Sequence, residues 1–224
     1  MNATSDICTA LGVTAKPAVL IVDDEVPVLQ VLSSIFMRKR PTLVVETCPS
    51  ARVAAQRLAE GHYDTVITDL AMPELSGWEM LARVRETRPC TPLLVMTGTK
   101  ESAVAERAFE QGAFDFIGKP IDWEGLMWSV TLAVKTHRLR RRMAERQVRL
   151  AQLREVLHRR WTPSHAVRAD ATEEHSGALV GACFIRRIEA AVQPCEKAIE
   201  RIERILGRNE DAVRRRARQR LLSS

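Results

Sequence analysis

Five polar residues follow short apolar segments in the first half of the chain, each where its segment ends. They are Asp23 and Asp24 after Ala18–Val22, Asp69 after Thr65-Val-Ile-Thr68, Thr97 after Leu93-Leu-Val-Met96, and Lys119 after Phe114-Asp-Phe-Ile117-Gly118. Crowded carboxylates repel one another unless a cation lies among them, and oxygen ligands favour a hard ion such as Mg²⁺. A carboxylate beside such an ion, an ammonium and a hydroxyl is equipped to attack a phosphoryl group.

These residues meet only if the segments that precede them are parallel strands of one sheet. Short unbroken apolar runs are typical of strands buried on both faces, and helical patterns separate the runs here. Leu43-Val-Val45 supplies a further strand between the first and second helices. The order predicts a five-stranded parallel doubly wound (flavodoxin-like) α/β domain, which binds ligands at the carboxyl edge of its sheet.

A simpler interpretation exists for part of this set. Acidic residues after strands often cap the next helix, and Asp24 and Glu25 directly precede a helical pattern with Pro27 in its first turn. Helix capping does not explain why all five polar positions fall on one edge of the sheet, so we favour a site.

The motifs that contain these residues follow one another in a recognisable order. They are Val22-Asp23-Asp24-Glu25, Thr68-Asp69-Leu-Ala-Met-Pro-Glu-Leu-Ser-Gly77, Met96-Thr97-Gly98 and Gly118-Lys119-Pro120. This set resembles the receiver domain of bacterial two-component response regulators, and the resemblance covers residues 17–135. It implies a phosphorelay protein that receives a phosphoryl group from a histidine kinase in the presence of Mg²⁺.

The resemblance also implies roles for individual residues. Asp69 matches the phosphoacceptor, and Lys119 matches the cation that pairs with the phosphoryl group. Mg²⁺ would be held by Asp23, Asp24, Asp69 and the backbone carbonyl of Ala71.

Two further residues match the switch of the family. Thr97 corresponds to the hydroxyl that repositions on phosphorylation, and Phe116, three residues before Lys119, to the aromatic residue that rotates inward. Because phenylalanine lacks the hydroxyl of tyrosine, we expect this switch to depend on packing. The signal would reach the face formed by the fourth helix, fifth strand and fifth helix.

Charge divides the chain into two parts with different tasks. Residues 1–134 contain 12 Lys and Arg against 17 Asp and Glu, whereas the remainder contains 22 against 11. We predict an N-terminal tail over residues 1–16, a receiver domain over 17–135 and a helical output region over 136–224. With no leader-like segment and no long apolar run, we expect a cytoplasmic protein that does not contact membranes.

The second half is predicted to be helical. A helix opening at Asp122 meets no proline before Pro163, and its continuity through Lys135 is open at this point. Two apolar seams follow heptad-like spacing. The first contains Leu132, Thr136, Leu139, Met143, Arg146, Leu150, Leu153 and Leu157, and the second contains Ile185, Ile188, Val192, Cys195, Ile199, Ile202 and Leu206. They could form a hairpin, pair with a second chain as a coiled coil, or both, and we favour a homodimer.

The output is predicted to be binding of a protein partner rather than an enzymatic reaction. Gly207 resembles a helix C-cap, and Arg214-Arg-Arg-Ala-Arg-Gln-Arg220 forms a basic tail. The tail leaves open a DNA-binding transcriptional regulator, although nucleic-acid binding is not favoured because no helix-turn-helix stands out. A helical phosphatase or adaptor acting on another signalling protein is a further alternative.

Overall fold

The computed structural model describes residues 16–98, 102–160, 193, 196–217 and 219. The chain divides into two compact units, one containing the described parts of residues 1–138 and 209–224, the other those of residues 139–208. The first unit therefore takes in the predicted receiver segment and a short stretch near the C-terminus.

The first unit alternates strands and helices from its start. Its strands are β1 (Ala18–Val22), β2 (Val44–Cys48), β3 (Thr65–Asp69), β4 (Leu93–Thr97) and β5 (Asp115–Gly118). Its helices are α1 (Val26–Lys39), α2 (Ala51–Glu60), α3 (Gly77–Thr87), α4 (Ser102–Glu110) and the beginning of α5 (Trp123–Arg160). Strand β2 extends beyond the apolar Leu43–Val45 segment expected from the sequence, because pairing with β1 continues through polar Glu46 and Thr47.

All five strands are parallel, in the order β2-β1-β3-β4-β5. Asp69 pairs in register with Met96, and Thr97 with Gly118. The register brings the ends of β3, β4 and β5 to one edge, where Asp23 also follows β1. The predicted five-stranded doubly wound fold is confirmed.

Alternate side chains of each strand enter two separate cores, as the twofold repeat of a strand requires. Leu20 and Val22 pack with α2, α3 and α4, whereas Val19 and Ile21 pack with α1 and α5. The helices start where local sequence allows. Ser76, for example, forms a capping box with Glu79 at the start of α3.

Helix α5 is continuous over 38 residues and belongs to both units. Its first predicted seam positions do not form part of a coiled coil. Thr136 is buried within the first unit and Leu132 packs against the same core as α1. The burial of these two positions within the first unit explains why a heptad pattern begins so early in the helix.

Residues 196–217 form a further helix, called the C-terminal helix below. The predicted helix end at Gly207 is wrong, because the helix continues for a further ten residues. Among the described residues, no atom would lie within 4 Å of a Cβ at Gly207, and the residue lies inside a continuous helix. Beyond Gly207 the helix packs on the first unit, where Val213 is fully buried beside α5. This packing stabilises the helix past the position at which its sequence suggests an end.

The second unit buries residues from both predicted seams. Three apolar side chains are each less than a tenth exposed, namely Leu150 of α5 and, on the C-terminal helix, Ile202 and Leu206. Val148 and Ile205 remain exposed in the same unit. The seam positions Ile185, Ile188, Val192 and Cys195 lie outside the described residues, as do the side chains of Leu153 and Leu157.

Candidate functional site

The carboxyl edge of the sheet gathers two buried carboxylates around one ammonium group. Lys119 Nζ lies 3.0 Å from Asp23 Oδ2 and 3.0 Å from Asp69 Oδ1. Asp23 is fully buried and Asp69 is 4% exposed, whereas the Lys119 side chain is 22% exposed. Both oxygens lie 3.0 Å from the same nitrogen, so the distance between them cannot exceed twice that value. The partial exposure of Lys119 shows that solvent reaches the site.

Backbone amides orient both carboxylates. Glu25 N donates to Asp23 Oδ1 over 2.9 Å, and Ala71 N donates to Asp69 Oδ2 over 2.8 Å. Each aspartate thus directs one oxygen to its own loop and the other to Lys119. A Cβ on Gly77 would lie 2.2 Å from Asp69 O, so only glycine lets α3 begin this close to β3.

Thr97 lies on β4, the strand next to that of Asp69, and Phe116 lies on β5, one strand further along the sheet. Thr97 ends β4, is 4% exposed and accepts a backbone hydrogen bond from Lys119 N over 2.7 Å. Phe116 is 4% exposed and belongs to the core that packs against α2, α3 and α4. Its ring is already inside the protein, so in this structure the aromatic side chain occupies a packed position.

The two residues for which capping was an alternative differ. Asp24 is exposed beside the buried pair. Glu25 is the N-cap residue of α1, but its side chain makes no capping hydrogen bond. Instead, Glu25 Oε1 lies 3.4 Å from Lys119 Nζ. The motifs did not predict Glu25 as a third acidic neighbour of Lys119, although its place directly after the aspartate pair was a signal.

Burial and ion pairing shift the pKa values of this cluster. Burial of Asp23 raises the pKa of its carboxyl, and this outweighs the lowering by Glu25 N and by Lys119. Burial lowers the pKa of Lys119, but its hydrogen bonds to Asp23 and Asp69 raise that pKa above its usual value. Lys119 is therefore a permanent cation at physiological pH, as its role beside two acids requires.

A family model described as the response regulator receiver domain matches residues 19–131, half of the chain. The chain belongs to the response regulator receiver domain family. It is 33% identical over 128 residues to regulatory protein AtoC of Escherichia coli (strain K12), covering 57% of this chain and 27% of AtoC. It is 37% identical over 106 residues to protein-glutamate methylesterase/protein-glutamine glutaminase 3 of Rhodopseudomonas palustris (strain BisB18), covering 47% of this chain and 29% of that protein.

The receiver fold is equally evident among solved structures. The solution structure of the beryllofluoride-activated NtrC4 receiver domain dimer matches with a TM-score of 0.50 and 26% identity, covering 54% of this chain and 98% of that one. The chain spans less than a third of the two curated relatives named above. The likeness therefore describes the receiver and not the remainder of those proteins.

The acidic edge of this receiver domain fits Mg²⁺ by the chemistry of its donors. Mg²⁺ binds one or two protein carboxylates and retains several waters. Asp23 and Asp69 supply two carboxylates that contact the same ammonium group at this edge of the sheet. Among the described residues, no three His, Cys, Asp or Glu side chains converge as a metal cage.

An open pocket of about 400 Å³ borders the acidic site of the receiver. Ala71 and Thr97 line its inner end, and Trp78 lies at its wall. The Arg107 guanidinium lies over the Trp78 ring, 4.6 Å from the centroid, and joins α4 to α3. In the part of the chain that the structure describes, no atom would lie within 4 Å of a Cβ on Gly98.

One buried polar contact of the receiver was not anticipated from the sequence. Asp115, at the start of β5, is fully buried and accepts hydrogen bonds from Ser129 Oγ of α5 and from the backbone of Phe116. The contact fixes α5 to the strand that carries Phe116 and leads to Lys119. The signal available in the sequence was an acid within an otherwise apolar strand.

Proposed function

We propose that this receiver accepts a phosphoryl group on Asp69 from a histidine kinase, with Mg²⁺ bound. The observation that supports the proposal is the 3.0 Å approach of Lys119 Nζ to both Asp69 and Asp23. A carboxylate held against a cation in a partly dry cleft is placed where charge on a transferred phosphoryl group needs neutralisation.

In the proposed transfer, an Asp69 oxygen forms a bond to phosphorus while the bond from phosphorus to the kinase histidine nitrogen breaks. The imidazole leaves with the electron pair and takes up a proton. Lys119 pairs with the phosphoryl oxygens, and the Asp69 oxygen that accepts from Ala71 N stays oriented by that amide. Mg²⁺, held by Asp23, Asp24, Asp69 and the Ala71 carbonyl, would supply further neutralising charge.

Phosphorylation would then be transmitted through Thr97 and Phe116. A phosphoryl group on Asp69 brings about two negative charges and strong acceptors next to the Thr97 hydroxyl. Movement of Thr97 changes the space that the ring of Phe116 fills against α4. The face made by α4, β5 and α5 changes with it, and α5 continues unbroken to Arg160.

We infer an output through protein contacts of the helical region, residues 136–224, rather than an enzymatic output. Val148 is 58% exposed and Ile205 is 37% exposed, which leaves apolar surface for a second copy of the chain. Dimerisation through these helices is part of the proposal. A similar receiver forms the beryllofluoride-activated dimer named above.

DNA binding is a second candidate for the output. Arg214 and Arg215 are exposed on the helix spanning residues 196–217. Sequence-dependent binding to duplex DNA that weakens steeply with salt would favour this candidate. Capture of a protein only by the phosphorylated chain would favour the protein-contact output.

The test of phosphorylation uses the full chain, purified kinase-free, with a small acyl phosphate and MgCl₂. We expect one phosphoryl group per chain in the wild type and none in Asp69→Asn. The matched control is Asp211→Asn, which changes an exposed carboxylate on the C-terminal helix. This variant should be phosphorylated like the wild type. Equal phosphorylation of Asp69→Asn would overturn the proposal.

A further inference from the structure

A groove of about 630 Å³ lies between the C-terminal end of α1 and the first part of α5. Its apolar surface comes from Ile35 on α1 and from Trp123, Met127 and Trp128 on α5. Trp123 and Trp128 are both half-buried, so each indole presents an edge or face to the groove. Tryptophan and methionine are enriched in the cores of protein–protein interfaces.

The rim of the groove is positively charged. Arg38, Lys39 and Arg40 line it from the end of α1 and are all exposed. Glu124 is the acidic residue among those that line it. The groove thus combines an apolar floor with a cationic rim, and its complement is a segment that combines apolar and acidic side chains.

The C-terminal helix adds a further cation at this place. The Arg216 guanidinium lies over the Trp128 ring, 4.7 Å from its centroid. Val213, one turn earlier, is fully buried in the core shared with α1 and α5. Asn209 Nδ2 donates to Thr136 Oγ1 over 3.4 Å. Buried Val213 therefore holds Arg216 beside the groove as part of the same compact unit.

Two features favour a peptide over a nucleic acid as the occupant. Arg216 already covers one face of Trp128, which leaves less of that ring for stacking bases. The floor formed by Ile35 and Met127 is apolar and offers a base neither a hydrogen bond nor an aromatic ring on which to stack. A short segment of a protein can place apolar side chains on this floor and carboxylates beside the positive rim.

The basic end of the groove is separate from the acidic site. Arg38 lies twelve residues after the start of α1 at Val26, which corresponds to about 18 Å along the helix. Asp23 and Asp24 directly precede that start. An occupant at the basic end of the groove would thus leave the carboxyl edge of the sheet accessible.

We propose that this groove binds a segment of a partner protein in which apolar side chains are flanked by acidic residues. The apolar side chains pack between Ile35 and the two tryptophans, and the carboxylates pair with Arg38, Lys39 and Arg40. The proposal rests on the proposed function only in taking the output to be a protein contact. It does not depend on phosphorylation of Asp69.

The experiment measures fluorescence anisotropy of labelled peptides with the full chain. The probes are synthetic peptides that contain one leucine and one phenylalanine. Aspartate and glutamate residues lie on both sides of this pair or between its two members. We expect saturable binding to the wild type and at least a tenfold loss in Arg38→Glu/Arg40→Glu. The matched control is Arg52→Glu/Arg83→Glu, with the same charge change on α2 and α3, and it should bind like the wild type.

Further arms separate the remaining outcomes. Peptides with lysine in place of the acids, or alanine in place of Leu-Phe, should bind at least tenfold more weakly. Asp69→Asn should bind as the wild type does, so that a failure of phosphorylation and a failure of this groove are distinguishable. Absence of binding by every acidic peptide, or equal loss in the control variant, overturns the proposal. Tighter binding of oligothymidine at the same salt, lost in Arg38→Glu/Arg40→Glu, also overturns it in favour of a nucleic acid.

Discussion

The ammonium nitrogen of Lys119 lies 3.0 Å from Oδ1 of Asp69, the carboxylate that we propose as the phosphoryl acceptor. The same nitrogen lies 3.0 Å from buried Asp23, so one cation is shared between two acids from different strands. This sharing holds the acidic edge together before any metal or phosphoryl group arrives. It also makes the cluster sensitive to the loss of a single charge.

Replacing Lys119 by methionine should destabilise the protein in the absence of Mg²⁺. The change leaves Asp23 and Asp69 close together without their shared cation. We expect the free energy of unfolding to fall by about 1–3 kcal/mol, less than for a fully buried pair because the Lys119 side chain is partly exposed. Urea unfolding with EDTA measures the loss, and added MgCl₂ should recover part of it. Lys39→Met, at the exposed end of α1, is the control and should change stability little.

Alanine should lower the stability of the protein much more at Gly77 than at Gly98. A Cβ at Gly77 would lie 2.2 Å from Asp69 O, whereas a Cβ at Gly98 would meet nothing within 4 Å. We expect Gly77→Ala to lower the free energy of unfolding by about 2–4 kcal/mol through backbone displacement, and Gly98→Ala to stay within about 0.5 kcal/mol. Thermal unfolding of both variants provides the comparison. Similar stability of the two would contradict the close approach of α3 to β3.

Tyr63, the chain's single tyrosine, should ionise at a higher pH than a free tyrosine. Burial, together with the hydrogen bond to Glu46 Oε2, raises the pKa of Tyr63 to about 12. Because the folded pKa exceeds the unfolded value of 10.0, this group's contribution to stability is present below pH 10 and lost as pH rises toward about 12. Tyrosinate absorbance against pH, with Tyr63→Phe as the blank, checks this. Glu46→Gln should move the midpoint toward 10, and a wild-type midpoint near 10 would refute the contact.

The packing of the C-terminal helix on α5 should contribute measurably to stability. Val213 is fully buried beside α5, and Val213→Ala removes two methyl groups from that contact. We expect a loss of about 1–2 kcal/mol by urea unfolding and faster proteolysis after residue 208. Arg214→Ala, at an exposed neighbouring position, serves as control. No difference between the two variants would show that the segment does not pack there in solution.

The oligomeric state should respond to phosphorylation if the helical region carries the output. Light-scattering mass with and without beryllofluoride and MgCl₂ should change in the wild type and stay constant in Asp69→Asn. Val148→Glu/Ile205→Glu should prevent the change, since both residues are exposed apolar positions of the second unit. A dimer of constant mass would make the association constitutive, and a monomer throughout would refute dimerisation.

Much of the receiver could be predicted because its information is local. Short apolar runs such as Ala18–Val22 are too brief for helices, and their alternation with helical patterns leaves few topologies. Since parallel strands end at one edge, Asp23, Asp69 and Lys119 had to lie near one another. Their distances, and the participation of Glu25 rather than Asp24 in the ion pairs, depend on side-chain packing that no spacing specifies.

The helical region illustrates the opposite case. Thr136 and Leu132 fit a coiled-coil repeat, but the structure buries Thr136 in the first unit and packs Leu132 against its core. Gly207 fits a helix end, but the helix continues because Val213 and Ala217 are buried beyond it. A periodic apolar pattern predicts that one face of a helix will be buried, but it does not predict which surface packs against that face.

The sequence by itself determined the parallel sheet, the edge at which its polar residues meet and the family to which the chain belongs. These follow from hydrophobic period, strand direction and the order of short motifs. Only the tertiary structure decided that Val213 returns to α5, that Arg216 covers Trp128 and that a basic groove lies beside them. Contacts between residues about ninety positions apart depend on which of several apolar faces pack together, and that choice is made by the free energy of the whole fold.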